Sequence, residues 1–158
     1  MKIGIGFDIH RLVFGRDLIL GGIKIPHNKG LLGHSDADCL CHALSDAILG
    51  ALALPNIGQL FPDDDERYRN LASLKILARA TQMAIEEGYH IVNVDTVLRA
   101  ERPNLAPFLP EMQETLAEVI GLKPGEIGIK ATTNEGLDAI GNGDAIACQA
   151  VCLLDKNK

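Results

Sequence analysis

The chain has 158 residues, 47% of them apolar and 23% charged, an ordinary balance for a soluble globular protein, with a formal net charge of −6. That length suits one domain around a single core. The acidic balance excludes sequence-independent nucleic-acid binding, and charges and glycines interrupt every apolar run before it reaches membrane-spanning length. Aromatic residues are scarce and Trp is absent, so the core is expected to rest on Ala, Ile, Leu and Val. If the ligand is polyanionic, a metal cation is the usual means of offsetting the repulsion. No secretory or transit pattern opens the sequence, so the expected location is the cytoplasm, or an organelle stroma for a mature chain.

The first predicted element is a strand, "KIGIGFDIHRL". Ile3, Ile5, Phe7 and Ile9 share one parity, and Gly4, Gly6, Asp8 and His10 share the other, so Asp8 and His10 project from the same side. The plain reading leaves that polar side to water. "DLILGGIKIP" then reads as a hairpin turning on two glycines, and "NKGLLGH" as a loop. "SDADCLCHALSDAILGALAL" is a predicted helix, with Ser35 as its N-cap, Asp38 three residues on and an acidic first turn. "PNIGQLFPDDDERY" is a loop. A second helix within 66–87 places Leu71, Leu74, Leu77, Ala78, Thr81, Ala84 and Ile85 on one stripe and ends at Gly88. "HIVNVDTVLRA" is a strand alternating at Val92, Val94, Thr96 and Leu98. A third helix turns Leu109, Met112, Leu116 and Ile120 inward before Gly121, and "EIGIKATT" and "AIACQAVCLL" are two further strands. The whole is expected to be an α+β single-domain sandwich spanning 1–158, with one mixed sheet covered by helices on one face.

Of the four cysteines, Cys39 and Cys41 would lie about 200° apart on a helix, and Cys148 and Cys152 roughly 13 Å apart along a strand. Neither pair can chelate a metal; a cross-pair is possible in principle, and small buried thiols in a reducing compartment are the preferred reading.

Three clusters carry potential chemistry. Asp8 and His10, with His42 from the helix packed on the sheet, are candidates for the three N/O ligands of an open zinc site, the competing role for His42 being that of a hydrogen-bonded, partly buried histidine. Asp38 and Asp46, four residues either side of His42, are candidates to accept its second ring N–H, with Asp46 preferred. His34 and Ser35 stand at the mouth of the same helix, where unpaired N–H groups favour anions but neighbouring acids oppose them; for Ser35 simple capping is the competing role. Thr132, Thr133 and Glu135 close a strand in "KATTNEG", where hydroxyls suit phosphate oxygens and a carboxylate suits a hard cation, although Thr-Thr there also serves β propensity.

"IGIGFDIHRL", "LILGGIKIP", "KGLLGHSDAD", "HALSDAILGALAL", "IGQLFPD", "ERPNLAPFLPEM", "KATTNEGL" and "DAIACQAVCLL", in that order, resemble the 2-C-methyl-D-erythritol 2,4-cyclodiphosphate synthases over nearly the whole chain. The resemblance implies zinc on Asp8, His10 and His42, and a second divalent cation, Mg²⁺ or Mn²⁺, on Glu135. It implies polarising roles for His34 and Thr133, and contacts to the methylerythritol phosphate from Ser35, Asn56, Ile57, Gly58, Phe61, Pro62, Asp63, Asp64 and Asp65. A cytidine pocket would comprise Ala100, Pro103, Asn104, Leu105, Ala106, Ala131 and Thr132, offered across the interface of a homotrimer. The implied reaction is metal-assisted intramolecular phosphoryl transfer on 4-diphosphocytidyl-2-C-methyl-D-erythritol 2-phosphate, releasing CMP within non-mevalonate isoprenoid precursor biosynthesis. No nucleic acid or membrane partner is implied.

The sequence departs from the family pattern at Asn56, where an Asp is expected, and at Asn104, where a Lys is common. Ala139 and Asn142 stand where many members place the Phe and Arg that line the trimer's central cavity. The competing readings are a metal-dependent phosphoanhydride hydrolase and a non-catalytic trimeric scaffold; a structural zinc is usually closed by four protein ligands, and only three are found.

Overall fold

Gly4 and Gly6 lie buried under the backbone of a helix, while Ile3, Ile5, Phe7 and Ile9 of the opposite parity are 72%, 63%, 56% and 45% exposed in the isolated chain. This reverses the plain reading of the first strand: its glycine side packs, and its apolar side does not. The structure, a computed structural model, describes residues 1–62 and 64–157.

That strand, β1 (Lys2–Phe14), pairs antiparallel with β7 (Ala145–Lys156), from Lys2 opposite Leu154 to Arg11 opposite Ala145. β7 pairs antiparallel with β5 (Tyr89–Arg99), and β5 runs parallel to β6 (Ile127–Thr132). At the other edge, β4 (Lys29–Leu31) pairs with the end of β1, giving a mixed five-stranded sheet in the order β4-β1-β7-β5-β6. β4 falls where a loop is expected; three residues are too few to show an alternation. β2 (Leu18–Leu20) and β3 (Ile23–Ile25) form the expected hairpin as a separate ribbon, turning on Gly21 and Gly22 at φ +59° and +77°. A register shift at Ile91/Asn93 carries Val92 outward, so Ile91 takes its place in the core ahead of Val94 and Leu98.

Helix α1 (Cys39–Ala51) is buried on nearly every side, between β1 and β7 on one flank and α3 (Ser73–Glu86) on the other. It starts three residues later than the Ser35 cap would place it. Asp38 is the N-cap, accepting the N–H groups of Leu40 and Cys41, so the acids precede the helix and leave its first turn without one. A short helix, α2 (Ile57–Leu60), and a 3-10 turn at Glu66–Tyr68 occupy the expected loop. α3 begins at Ser73, not near 66, because Asn70 adopts φ 57° and its N–H is donated to His34 O. The buried stripe is also rotated from the expected one, because the face toward α1 is the packed one: Ile76, Leu77, Ala80, Thr81 and Ala84 are buried, whereas Ala78 and Ile85 face out. α4 (Leu109–Ile120) turns Met112, Leu116 and Ile120 inward as expected and ends at Gly121 with φ +74°. A four-residue helix, α5 (Asp138–Gly141), precedes β7. The fold is therefore mixed α+β, a mixed sheet with helices.

All four cysteines are free and buried, and burial pushes their thiols up, that of Cys152 to about 11.

Candidate metal centre and two clefts

The glycine side of β1 explains the centre. A Cβ on Gly4 would lie 1.8 Å from Ala47 O, and one on Gly6 1.9 Å from Ala43 O, so α1 rests directly on the strand backbone. The next residue of that parity, Asp8, is the first on this stretch with a side chain, and it meets His42 one step along the helix. Asp8 Oδ2 stands 3.0 Å from His42 Nδ1 and 2.8 Å from His10 Nε2, and the two nitrogens are 3.2 Å apart. Ligand atoms on a tetrahedral zinc at about 2.0–2.1 Å would be separated by about 3.3 Å. The triangle matches that requirement closely.

The outer hydrogen bonds set the character of the triangle. His10 Nδ1 lies 2.8 Å from Leu32 O, and a carbonyl can only accept, so this nitrogen carries its proton outward and, in the neutral form of the ring, Nε2 presents its lone pair to Asp8 and His42. Two imidazole nitrogens and a carboxylate thus converge where a proton or a cation must sit among them. Burial would raise the Asp8 carboxyl, but when protons rather than a metal occupy the centre, hydrogen bonds from His10 and His42, with the positive charge those protons bring, outweigh it and bring the carboxyl down to about 2. The donor set, two nitrogens and a carboxylate oxygen with an open side, suits zinc, and these three residues are the one such cluster among the described residues.

Asp46 is not the outer partner of His42. Its Oδ1 accepts the N–H of Ile57, holding the start of α2, and burial raises its carboxyl. Asp38 is consumed by the cap of α1 and by the N–H of Gly22. The ring of His42 turns Nδ1 to the strand and Nε2 away from its own helix, to Ser73 Oγ at 2.8 Å and Ser35 Oγ at 3.3 Å. Nothing in the spacing around His42 announces Ser73, which arrives from α3, 31 residues later.

A cleft beside the triangle gathers Asp8, His10 and His42 with His34, Ser35, Ile57, Gly58 and Phe61. Tyr68, Leu71 and Ile76, which sequence reading did not select, complete its wall as apolar cover. Ser35 Oγ accepts the N–H of Ala37, so it caps a turn ahead of the helix as well as facing His42. His34 Nε2 lies 3.4 Å from Asp65 O. Asn56 caps α2 through a reciprocal pair with Gln59, which an Asp at this position could also accept. Pro62 is half-buried, Asp64 is exposed, and Asp65 pairs with Arg67, whose guanidinium holds its carboxyl down at about 2. Asp63 lies outside the described residues.

A second, separate cleft is lined by Ala100, Pro103, Asn104, Leu105, Ala131, Thr132 and Thr133, along with Glu101 and Arg102. Asn104 Oδ1 accepts the N–H of Ala106 and so shapes its rim. Thr133 Oγ1 donates to Glu135 Oε1 at 3.1 Å, and Glu135 holds φ 52°, a left-handed conformation for a residue with a Cβ. Glu101, two residues beyond the end of β5, accepts the N–H of Asn134 and ties this turn down. Within one chain, Glu135 is not part of the Asp8–His10–His42 cluster.

Fold and centre together define an α+β protein with a three-ligand centre of metal-binding type beside a small-molecule cleft. The YgbB family profile matches residues 1–155, and the chain belongs to that family. It is 55% identical over 154 residues to a 2-C-methyl-D-erythritol 2,4-cyclodiphosphate synthase of Synechococcus sp. (strain JA-2-3B'a(2-13)), covering 98% of each chain. It is 51% identical to the synthase of that name from Alkaliphilus metalliredigens over 151 residues, 96% of this chain and 95% of that one. Among solved structures, it matches the bifunctional IspDF of Campylobacter jejuni with a TM-score of 0.94 and 38% identity, covering 98% of this chain and 42% of that longer protein. It matches a CDP-bound 2C-methyl-D-erythritol-2,4-cyclodiphosphate synthase with a TM-score of 0.90 and 40% identity over 98% and 100% of the two chains. Among the described residues, no helix is long and apolar enough to cross a membrane.

Proposed function

We propose that this chain, acting as one domain, converts 4-diphosphocytidyl-2-C-methyl-D-erythritol 2-phosphate into 2-C-methyl-D-erythritol 2,4-cyclodiphosphate and CMP, within non-mevalonate isoprenoid precursor biosynthesis. The observation that carries this reading is the convergence of Asp8 Oδ2, His10 Nε2 and His42 Nδ1 within 3.2 Å of one another at the wall of the first cleft. The relatives above carry the name of this synthase, and the hydrolase alternative gains no support from them.

Zinc would be held by Asp8, His10 and His42, and Mg²⁺ or Mn²⁺ by Glu135. When bound, the two cations neutralise the diphosphate of the substrate and draw electron density from the phosphorus under attack. The 2-phosphate oxygen of the substrate attacks the β-phosphorus; the bond from that phosphorus to the bridging oxygen breaks, and CMP leaves with that oxygen. Both phosphates remain in the product ring. Since the substrate carries its own nucleophile, the protein's task is positioning and charge stabilisation. Ser35, Asn56, Ile57, Gly58 and Phe61, with Pro62–Asp65, would orient the methylerythritol phosphate. His34 and Thr133 would donate hydrogen bonds to phosphate oxygens.

The first cleft encloses about 180 Å³, below the roughly 300–1,000 Å³ of typical small-molecule sites, so a nucleotide-sized substrate extends beyond it. The second cleft offers backbone groups of Ala100, Pro103, Leu105 and Ala131, with the side chains of Asn104 and Thr132, for a cytidine; Ala106 lies outside its lining and gives its N–H to Asn104. In a homotrimer the second cleft of one protomer would face the first cleft of its neighbour, and the exposed row Ile3, Ile5, Phe7 and Ile9 is the apolar surface such an assembly would bury. A cytoplasmic or stromal location accompanies this reading.

The test is metal content. Purified protein should carry about one zinc per chain, and His42→Ala should lose it while keeping its secondary structure and oligomeric state. Full zinc occupancy in that variant would remove His42 from the ligand set.

A further inference from the structure

Ser73 and Asp36 stand behind the His42 ring, and neither belongs to the ligands or to the substrate contacts proposed above. The Ser73 side chain is wholly buried, with its Oγ 2.8 Å from His42 Nε2. Its hydroxyl also makes a short hydrogen bond to Asp36 Oδ1, and the backbone N–H of Ser73 donates to Asp36 Oδ2 at 3.1 Å. A carboxylate only accepts, so the single hydroxyl proton of Ser73 goes to Asp36. Ser73 Oγ is then left facing His42 as an acceptor, which requires the proton of the ring on Nε2. His42 Nδ1 is thereby left with a free lone pair toward Asp8 and His10.

Resting on the reading of that triangle as a metal centre, we infer that Asp36 and Ser73 are the positioning pair of the centre: they select the His42 tautomer that can bind metal and lock its ring orientation. The same pair ties the centre to α3. Ala72, at the N-cap of α3, makes no side-chain bond, and Asp36 supplies the cap from a different segment. Asp36 N–H donates to Leu71 O, and Asn70 N–H to His34 O, so the chain leading into α3 is fastened to the loop that carries His34 and Ser35. Ser35 Oγ, 3.3 Å from Nε2, is the weaker of the two acceptors on that nitrogen.

The experiment measures zinc affinity by competition with a chromophoric chelator, together with the nitrogen-bound proton of His42 in the zinc-loaded full chain by long-range proton–nitrogen NMR. Wild type should show a slowly exchanging His42 Nε2–H resonance. Ser73→Ala should weaken zinc binding about 10- to 100-fold, the usual effect of removing an outer partner of a metal-bound histidine, and that proton should exchange rapidly. Ser73→Thr, which restores the hydroxyl, should recover both. Asp36→Asn, whose amide can turn the Ser73 hydroxyl round to face Nε2, should shift both in the direction of Ser73→Ala. Unchanged zinc affinity and an unchanged resonance in Ser73→Ala would overturn the inference, as would a wild-type centre whose Nε2 proton exchanges freely, a result that needs no variant to fold. Wild type that takes up no zinc would instead overturn the metal reading beneath it.

Discussion

The contact between β1 and α1 makes a quantitative prediction, because the helix lies on a strand surface that has no side chains. Gly6→Ala adds a Cβ 1.9 Å from Ala43 O and 2.8 Å from Ala47 N, both backbone atoms that cannot rotate away. Bringing that Cβ out to even 3.0 Å requires α1 to retreat by at least about 1.1 Å, and such overpacking costs about 1–3 kcal/mol. For a domain of this size that corresponds to a fall of roughly 2–12 °C in Tm. The same retreat opens the 3.0 Å gap between Asp8 Oδ2 and His42 Nδ1 to about 4 Å, wider than the ligand spacing of a tetrahedral zinc. Gly6→Ala should therefore lose both stability and zinc affinity, read by thermal unfolding of chelator-treated protein and by zinc titration. Gly50→Ala on the same helix is the control: its Cβ would meet only Ile5 O, at 3.8 Å, so it should be neutral or slightly stabilising. Gly6→Ala with wild-type Tm and wild-type zinc affinity would refute the reasoning, since the helix could then have moved without consequence for the centre.

Three further outcomes are expected. Glu135→Gln should retain zinc but lose the dependence of turnover on Mg²⁺ or Mn²⁺; an unchanged response to those ions would remove Glu135 as the second cation ligand. Ile5→Glu, at a position 63% exposed in the single chain, should convert the proposed homotrimer to monomers of native circular dichroism, and sedimentation of an intact trimer would show that the apolar row lies outside the interface. In metal-free protein the Asp8 carboxyl, brought from 3.8 to about 2, contributes about 2 kcal/mol above its unfolded value that is lost as pH falls through about 2. Urea unfolding should find Asp8→Asn less stable than wild type by about that amount at pH 5, with the gap closing between about pH 4 and pH 2; a gap that did not shrink there would contradict the assignment.

Much of the centre was legible because the relevant side chains sit at fixed periods. Asp8 and His10 share a strand face by parity alone, and His42 falls on a helix bound to pack on that sheet. The sign of burial was not legible: alternation says which residues share a face, and it took the close approach of Ala43 O and Ala47 O to show that the glycine face is the packed one. Helix starts failed for a related reason. Ser35 and Asp38 are both good caps, and only the left-handed turn at Ala37 (φ 59°) decides that the helix begins after the second. The start of α3 depends on Asp36, 37 residues earlier, which no local pattern encodes. A separation of 31 residues likewise hides Ser73 as the partner of His42, so that Asp46, four residues away on the same helix, stands in its place.

A phosphorus NMR time course distinguishes the proposed ring closure, served by two divalent cations, from hydrolysis. Purified protein, the cytidyl diphosphate substrate, Zn²⁺ and Mg²⁺ are followed beside a chelated control. Cyclic diphosphate signals should grow in step with stoichiometric CMP, with neither in the chelated sample. CMP accompanied by an open-chain bisphosphate, with water taken up in place of ring closure, would contradict it.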